Sequence, residues 1–168
     1  MSFRRKIASF AAIVLLSALP IGAAQSAQAI PGGAVTVYKV VSKSLLSSNY
    51  TNYSNELARC NAATSGVTCS ISQSVSATRT IGLDLGASRG VIATGLSISS
   101  ASSTSISVTC NSPAMSAGQS FRAYPVGSRY SYKIQKRAVA PGSDTLLATS
   151  GTLYAFDPRT SGVTCGVY

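Results

Sequence analysis

Histidine and tryptophan are absent from this chain of 168 residues, and its only carboxylate side chains are Glu56, Asp84, Asp144 and Asp157. Without histidine there is no Ser-His-Asp or Cys-His arrangement, no imidazole base, and little with which to hold zinc. Four widely spaced acids outline no calcium or magnesium cage. Asp144 and Asp157 sit in turn signatures, beside Gly142-Ser143 and Pro158. A two-carboxylate glycosidase would have to be assembled from those four acids alone. The expectation is a protein that is not an enzyme and needs neither cofactor nor metal.

A second scarcity is local. The forty residues between Cys69 and Cys110 contain no aromatic side chain. There, Ser and Thr alternate with small aliphatics. From Ser70 to Asp84 every even position is Ser, Thr, Gly or Asp, while most odd positions are aliphatic. That period of two is expected of a strand with one buried and one wet face. The segment after Arg89-Gly90 repeats the pattern with parity reversed, with Ile92, Leu96, Ile98, Ile106 and Val108 on one face. The two arms are predicted to pair around a turn at Arg89-Gly90, as a long central hairpin over residues 70–109. That register sets Ile71 opposite Val108, Ile81 opposite Ile98, Leu83 opposite Leu96, and Cys69 opposite Cys110. The competing arrangement is two sandwich strands, each paired with other neighbours.

The N-terminus has the build of a secretory signal. Arg4, Arg5 and Lys6 precede an apolar run from Ile7 to Ala24, and Ala27-Gln28-Ala29 supplies small residues for cleavage. Residues 1–29 are read as the leader and 30–168 as one secreted domain, released outside the cell. All four cysteines, Cys60, Cys69, Cys110 and Cys165, fall in that mature part. An even count in an exported chain argues for two disulfides, with three connectivities open. Cys69–Cys110 with Cys60–Cys165 is favoured by the hairpin register. Once the leader is removed, eleven Lys/Arg face four acids, a net charge of +7. That sign suits an anionic cell-surface glycan or an acidic protein partner. Nucleic acid is not expected, since the chain is exported and carries no binding motif.

Elsewhere, strands are predicted at Val35–Val41, Phe121–Tyr124, Ser128–Arg137, Leu146–Thr149 and Thr152–Phe156, with turns at Pro141-Gly142 and Asp157-Pro158. Residues 42–59 read as polar connection, with at most one helical turn at Asn55–Arg59. No segment beyond the leader carries a helical period. The fold class is therefore all-β, an antiparallel sandwich or elongated β-domain. Thr64-Ser65-Gly66-Val67-Thr68-Cys69 recurs identically as Thr160-Ser161-Gly162-Val163-Thr164-Cys165, without a repeat in the flanks.

The positive functional signal is segregation of aromatics and cations. All eight tyrosines lie outside residues 54–120, and Phe121 to Arg137 interleaves aromatics with five cations. Arg122, Tyr124, Arg129, Tyr130, Tyr132, Lys133, Lys136 and Arg137 are the candidate binding residues, because Tyr beside Arg can stack on sugars or pack at an interface. The competing reading puts Phe121, Tyr130, Tyr132 and Ile134 on a core face with the cations in water.

Two resemblances accompany these residues. Gly118 to Pro125, Tyr130 to Ile134, and Leu153 to Pro158 resemble small exported actinobacterial β-proteins, which implies export but no activity. The Ser/Thr-rich amphipathic stretch 80–98 resembles the insertion hairpin of aerolysin-type pore-forming toxins. That resemblance implies a membrane as partner, with Ile81, Leu83, Leu85, Ile92, Leu96 and Ile98 facing lipid. The stretch lacks the Trp or Tyr girdle such hairpins carry. A third class, a secreted inhibitor presenting a loop at Arg89 or Arg129, rests on the disulfide scaffold alone.

Overall fold

The computed structural model describes residues 29–30 and 33–168, so the expected leader lies almost wholly outside the described residues. Among the described residues the architecture is all-β and antiparallel, with one short helix and two disulfides. Its spine is a 21-residue strand, numbered β7 below, that spans Ser120–Ala140. In chain order come β1 (Ala29–Ile30), β2 (Ala34–Thr51), β3 (Ala58–Asn61), β4 (Ser70–Thr78), β5 (Thr80–Ile81), α1 (Arg89–Leu96), β6 (Ser103–Asn111), β7, β8 (Ser143–Thr149) and β9 (Leu153–Val167).

The main sheet has seven strands in the order β1-β2-β7-β9-β5, with β3 and β8 also paired to β7 near its two ends. β2 runs beside β7 from Val35↔Val139 to Thr51↔Val126, broken by register shifts at Val41/Ser44, Leu45/Ser47 and Ser47/Tyr50. Residues 42–51, expected as connection, are therefore strand. Tolerated bulges and a row of cross-strand partners on β7 outweigh their weak local pattern. Asn55–Arg59 forms no helical turn either, since Ala58–Asn61 pairs with Ser120–Ala123. The two strands predicted around Pro125-Val126-Gly127 are one. On the β9 side, the interruption is absorbed between Pro125↔Val163 and Gly127↔Pro158.

A second, two-stranded sheet pairs β4 with β6. Its arms are the two ends of the expected hairpin, but the register differs by two residues: Ile71 faces Cys110 and Val75 faces Ile106. A shift of two keeps every side chain on its face. Ile71, Ala77, Ile106 and Val108 are accordingly buried. The shift does change the cysteines. Cys69 now lies across from Ser112, exchanging backbone and side-chain hydrogen bonds of 2.8 Å with it.

The favoured cysteine pairing is overturned. Cys60 bonds Cys69, and Cys110 bonds Cys165. Cys60 and Cys165 lie on β3 and β9, opposite Phe121 and Ala123 of β7 from either side. Each disulfide thus ties the small sheet to the main one. Cross-linking within the small sheet would have left that packing unanchored. The two copies of the six-residue echo each end in one of these bonds.

The middle of the expected hairpin is the largest departure. β5 is two residues long, a turn follows with Leu85 and Gly86 at φ 57° and 83°, and Arg89–Leu96 is helical. The turn at Arg89-Gly90 is thus replaced by the start of α1. Ser88 caps it by accepting from the Val91 N–H, and Ser97 closes it in the left-handed region at φ 59°. Lys43 donates to the Leu96 carbonyl, placing a cation at the negative end of the helix. Ile92 and Leu96, four apart, satisfy a period of two and a helical repeat equally well. Sequence alternation alone could not distinguish them.

Two cores result. One holds Ile71, Ala77, Ile106, Val108, Met115, Phe121 and Ala123 between the sheets. The other holds Ile81, Ile92, Ala93, Leu96, Tyr132, Ile134 and Ala155 beneath α1. β7 supplies odd positions to the first and even positions to the second. Strand alternation therefore places the two cores on opposite sides of the spine. Opposite the second core, the odd side chains of β7 from Arg129 to Arg137 stay partly exposed, whereas opposite the first core Tyr124 and Val126 are buried as well.

Candidate functional site: an open basic face of the central strand

Beyond residue 128 the odd side chains of β7 point away from α1. Their order is Arg129, Ser131, Lys133, Gln135, Arg137. β2 adds Lys39, paired with Gln135, and β9 adds Tyr154, paired with Ser131. Directly opposite residues in antiparallel strands share a face, so these groups form one surface.

Arg129 lies between two tyrosine rings. The guanidinium carbon lies 4.7 Å from the Tyr50 ring centroid and 5.0 Å from that of Tyr154. Tyr50 is braced edge-on by the buried Phe156 at 5.9 Å. Each such contact contributes about 0.5–1 kcal/mol at an exposed site and fixes the plane of the fork. An arginine held this way keeps N–H donors for a planar anion with less entropy to lose. No carboxylate approaches Arg129 or Lys133 within ion-pair distance among the described residues. At the far end Arg137 pairs with Asp144 at 2.7 Å and donates to Gln135 at 3.0 Å.

The eight candidate binding residues therefore divide among three environments. Arg129, Lys133 and Arg137 lie on the open face. Tyr130, Tyr132 and Lys136 project to the opposite side. Lys43 stands 5.5 Å over the Tyr130 ring there, and Tyr132 is buried, its hydroxyl donating to the Gly82 carbonyl. Burial pushes the Tyr132 phenol up to about 12, against a smaller opposing pull from Arg89.

Arg122 and Tyr124 sit at the other end of β7. Arg122 lies 3.8 Å from Glu56 and 5.5 Å from the Tyr168 ring. Tyr124 stacks edge-on with Tyr53 at 5.2 Å and Tyr168 at 5.7 Å. The bidentate Arg59 contact, at 2.8 Å through both oxygens, lowers the Glu56 carboxyl below its ordinary range. This second cluster is close to charge-balanced.

Sequence reasoning missed Lys39, Tyr50 and Tyr154 as members of the open face. Their alternation was visible, but only the pairing of β2 and β9 on β7 brings them beside Arg129.

The residues expected to face lipid are distributed differently from a membrane hairpin. Ile81, Ile92 and Leu96 are buried under α1, Leu85 and Ile98 pack at its margin, and Leu83 is 48% exposed in the turn. No helix among the described residues is long and apolar enough to cross a membrane. Beside α1 runs an open groove of about 690 Å³, lined by Tyr38, Val40, Ser88, Val91 and Thr94. It contains no acid and no nucleophile paired with a base.

All four carboxylates are engaged in structure. Glu56 meets Arg59 and Arg122, Asp144 meets Arg137, and Asp157 meets the buried Arg79. Asp84 accepts the Leu85 N–H at 2.8 Å. No family model, curated protein or solved structure matches the chain.

Proposed function

We propose that this is an exported, non-enzymatic β-domain that binds an anionic partner of the cell envelope or matrix through the open face of β7. The observation that carries this reading is Arg129, held between Tyr50 and Tyr154, with Lys133 two face positions further on and no carboxylate against either. Ordered cations without internal counter-charges cost less to engage than cations already paired. Two disulfides suit an oxidising compartment, in line with the leader expected at residues 1–29. The lack of histidine and the structural use of every acid support the non-enzymatic part.

The membrane-active alternative has less support. Forming a hairpin from residues 80–98 would unwind α1 and withdraw Ile92 and Leu96 from the second core. Each such side chain loses about 1.5–3 kcal/mol of burial. The test is co-sedimentation of the purified mature chain with isolated cell walls and retention on anionic polysaccharide over a salt gradient. Retention at low salt, weakened in Arg129→Gln and Lys133→Gln, is expected. Failure to bind any anionic material at low salt would sink the proposal.

A further inference from the structure

We infer that the occupant of this face is a linear glycan carrying repeated anionic groups, carboxylate or sulfate, laid lengthwise along β7. The inference rests on the anionic-partner reading above and adds the chemical class and the orientation. Five successive positions on the open face alternate cation and neutral hydrogen-bonding group: Arg129, Ser131, Lys133, Gln135, Arg137. At about 3.3 Å per residue, neighbouring cations in the row stand about 13 Å apart and the row is about 26 Å long. Lys39 adds a charge beside Gln135.

A polymer with charges at intervals and hydroxyls between them presents the complementary series. The only carboxylate on this face is Asp144, at one end and already bonded to Arg137. Several individually weak, partly exposed contacts then act together through one chain, and affinity grows with the number of sites spanned. The two other partner classes fit less well. A folded protein would need a concave or apolar centre to desolvate, and the row has polar side chains at its middle. A bilayer would need free aromatic or long apolar side chains spread along the row to insert. The exposed apolar side chains of this face, Val35, Val37 and Leu146, gather at its Arg137 end, and the half-exposed Tyr154 holds Arg129, as does Tyr50.

The experiment uses the full mature chain with five immobilised or suspended probes: dextran sulfate, polygalacturonate, neutral dextran, polyglutamate, and vesicles containing anionic phospholipid. Galacturonate oligomers of two and six sugars compete. Both charged polysaccharides should bind, neutral dextran should not, and the disaccharide should compete at least about tenfold less well than the hexasaccharide. Arg129→Gln and Lys133→Gln should each weaken binding about three- to fivefold. Arg59→Gln, which removes the same charge at the Glu56 end of the molecule, should leave it unchanged. Preference for one charged polysaccharide identifies sulfate or carboxylate as the group read.

Two results overturn the inference while sparing the anionic-partner reading. One is polyglutamate or vesicles binding as tightly as the charged polysaccharides with the same variant sensitivity. The other is a disaccharide that competes as well as the hexasaccharide. Wild-type binding to every probe by both face variants overturns the two together.

Discussion

The disulfide connectivity gives the sharpest test of the fold, because the strand register read from alternation alone favours a different pairing. Trypsin cleavage after Arg59, Arg79, Arg89, Arg122 and Arg159 separates the cysteines cleanly. Peptide 60–79 contains both Cys60 and Cys69, peptide 90–122 contains Cys110, and peptide 160–168 contains Cys165. Digestion of the denatured, unreduced chain at mildly acidic pH should therefore release 60–79 alone, two hydrogens lighter than its reduced form. It should also release 90–122 joined to 160–168. The rejected pairing would give a single product uniting all three peptides.

The energetics follow from the loops closed. Cys60–Cys69 spans 9 residues and Cys110–Cys165 spans 55. The chain-entropy treatment assigns about 2.5 kcal/mol to the short loop and about 4 kcal/mol to the long one. Each bond also holds the β4–β6 sheet to the main sheet. Cys110→Ser/Cys165→Ser should thus lose about 1.5 kcal/mol more in urea unfolding than Cys60→Ser/Cys69→Ser. A three-peptide product in the digest would refute the fold's account of both bonds. Equal or reversed losses in urea would refute the loop argument alone.

Other expectations follow from single positions. Ile92→Ala, at a fully buried site under α1, should cost about 2–4 kcal/mol in urea unfolding, whereas Leu83→Asp in the exposed turn should fall within about 0.5 kcal/mol of wild type. Full unfolding in Leu83→Asp would mean that this turn is not on the surface. A side-chain carbon at Gly127 would collide with the Asp157 carbonyl oxygen and stand 2.7 Å from the Pro158 Cα, so Gly127→Ala should cost about 3 kcal/mol by prising β7 from β9. Circular dichroism melting checks it, and a wild-type melting point would contradict the close approach. Tyr132, its phenol pushed from 10.0 to about 12 by burial, stays protonated in the fold above the pH at which it ionises when unfolded. Its contribution is complete below pH 10 and lost on rising through pH 12, on the order of 2–3 kcal/mol. Tyr132→Phe should flatten that part of the urea-stability profile, and an unchanged alkaline slope would exclude Tyr132 as its source.

Alternation identified the all-β class and, within the hairpin expected over 70–109, the strand character and buried face at its two ends, where Ile71, Ile106 and Val108 lie inward, because period-two burial is written locally. It failed at Ile92 and Leu96, whose spacing also fits a helix, and there the capping serines at 88 and 97 were the unread signal. Along β7 the structure bears on side-chain placement. Tyr132 and Ile134 do line a core, while Arg129 and Lys133 face outward. Phe121 lines a different core on the opposite side. A one-dimensional pattern has no means of showing that a strand changes the side it buries partway along.

By itself, then, the sequence determined the absence of imidazole, the excess of positive charge, the β character and the four cysteines as a set. Those depend on composition and on neighbours within a few residues. Tertiary structure alone decided which cysteines meet, where α1 interrupts the strands, and which cations share a face with Tyr50 and Tyr154. Each of those depends on contacts between residues far apart in the chain. A two-residue change in strand register leaves every local pattern intact, yet it replaces Cys110 by Ser112 opposite Cys69.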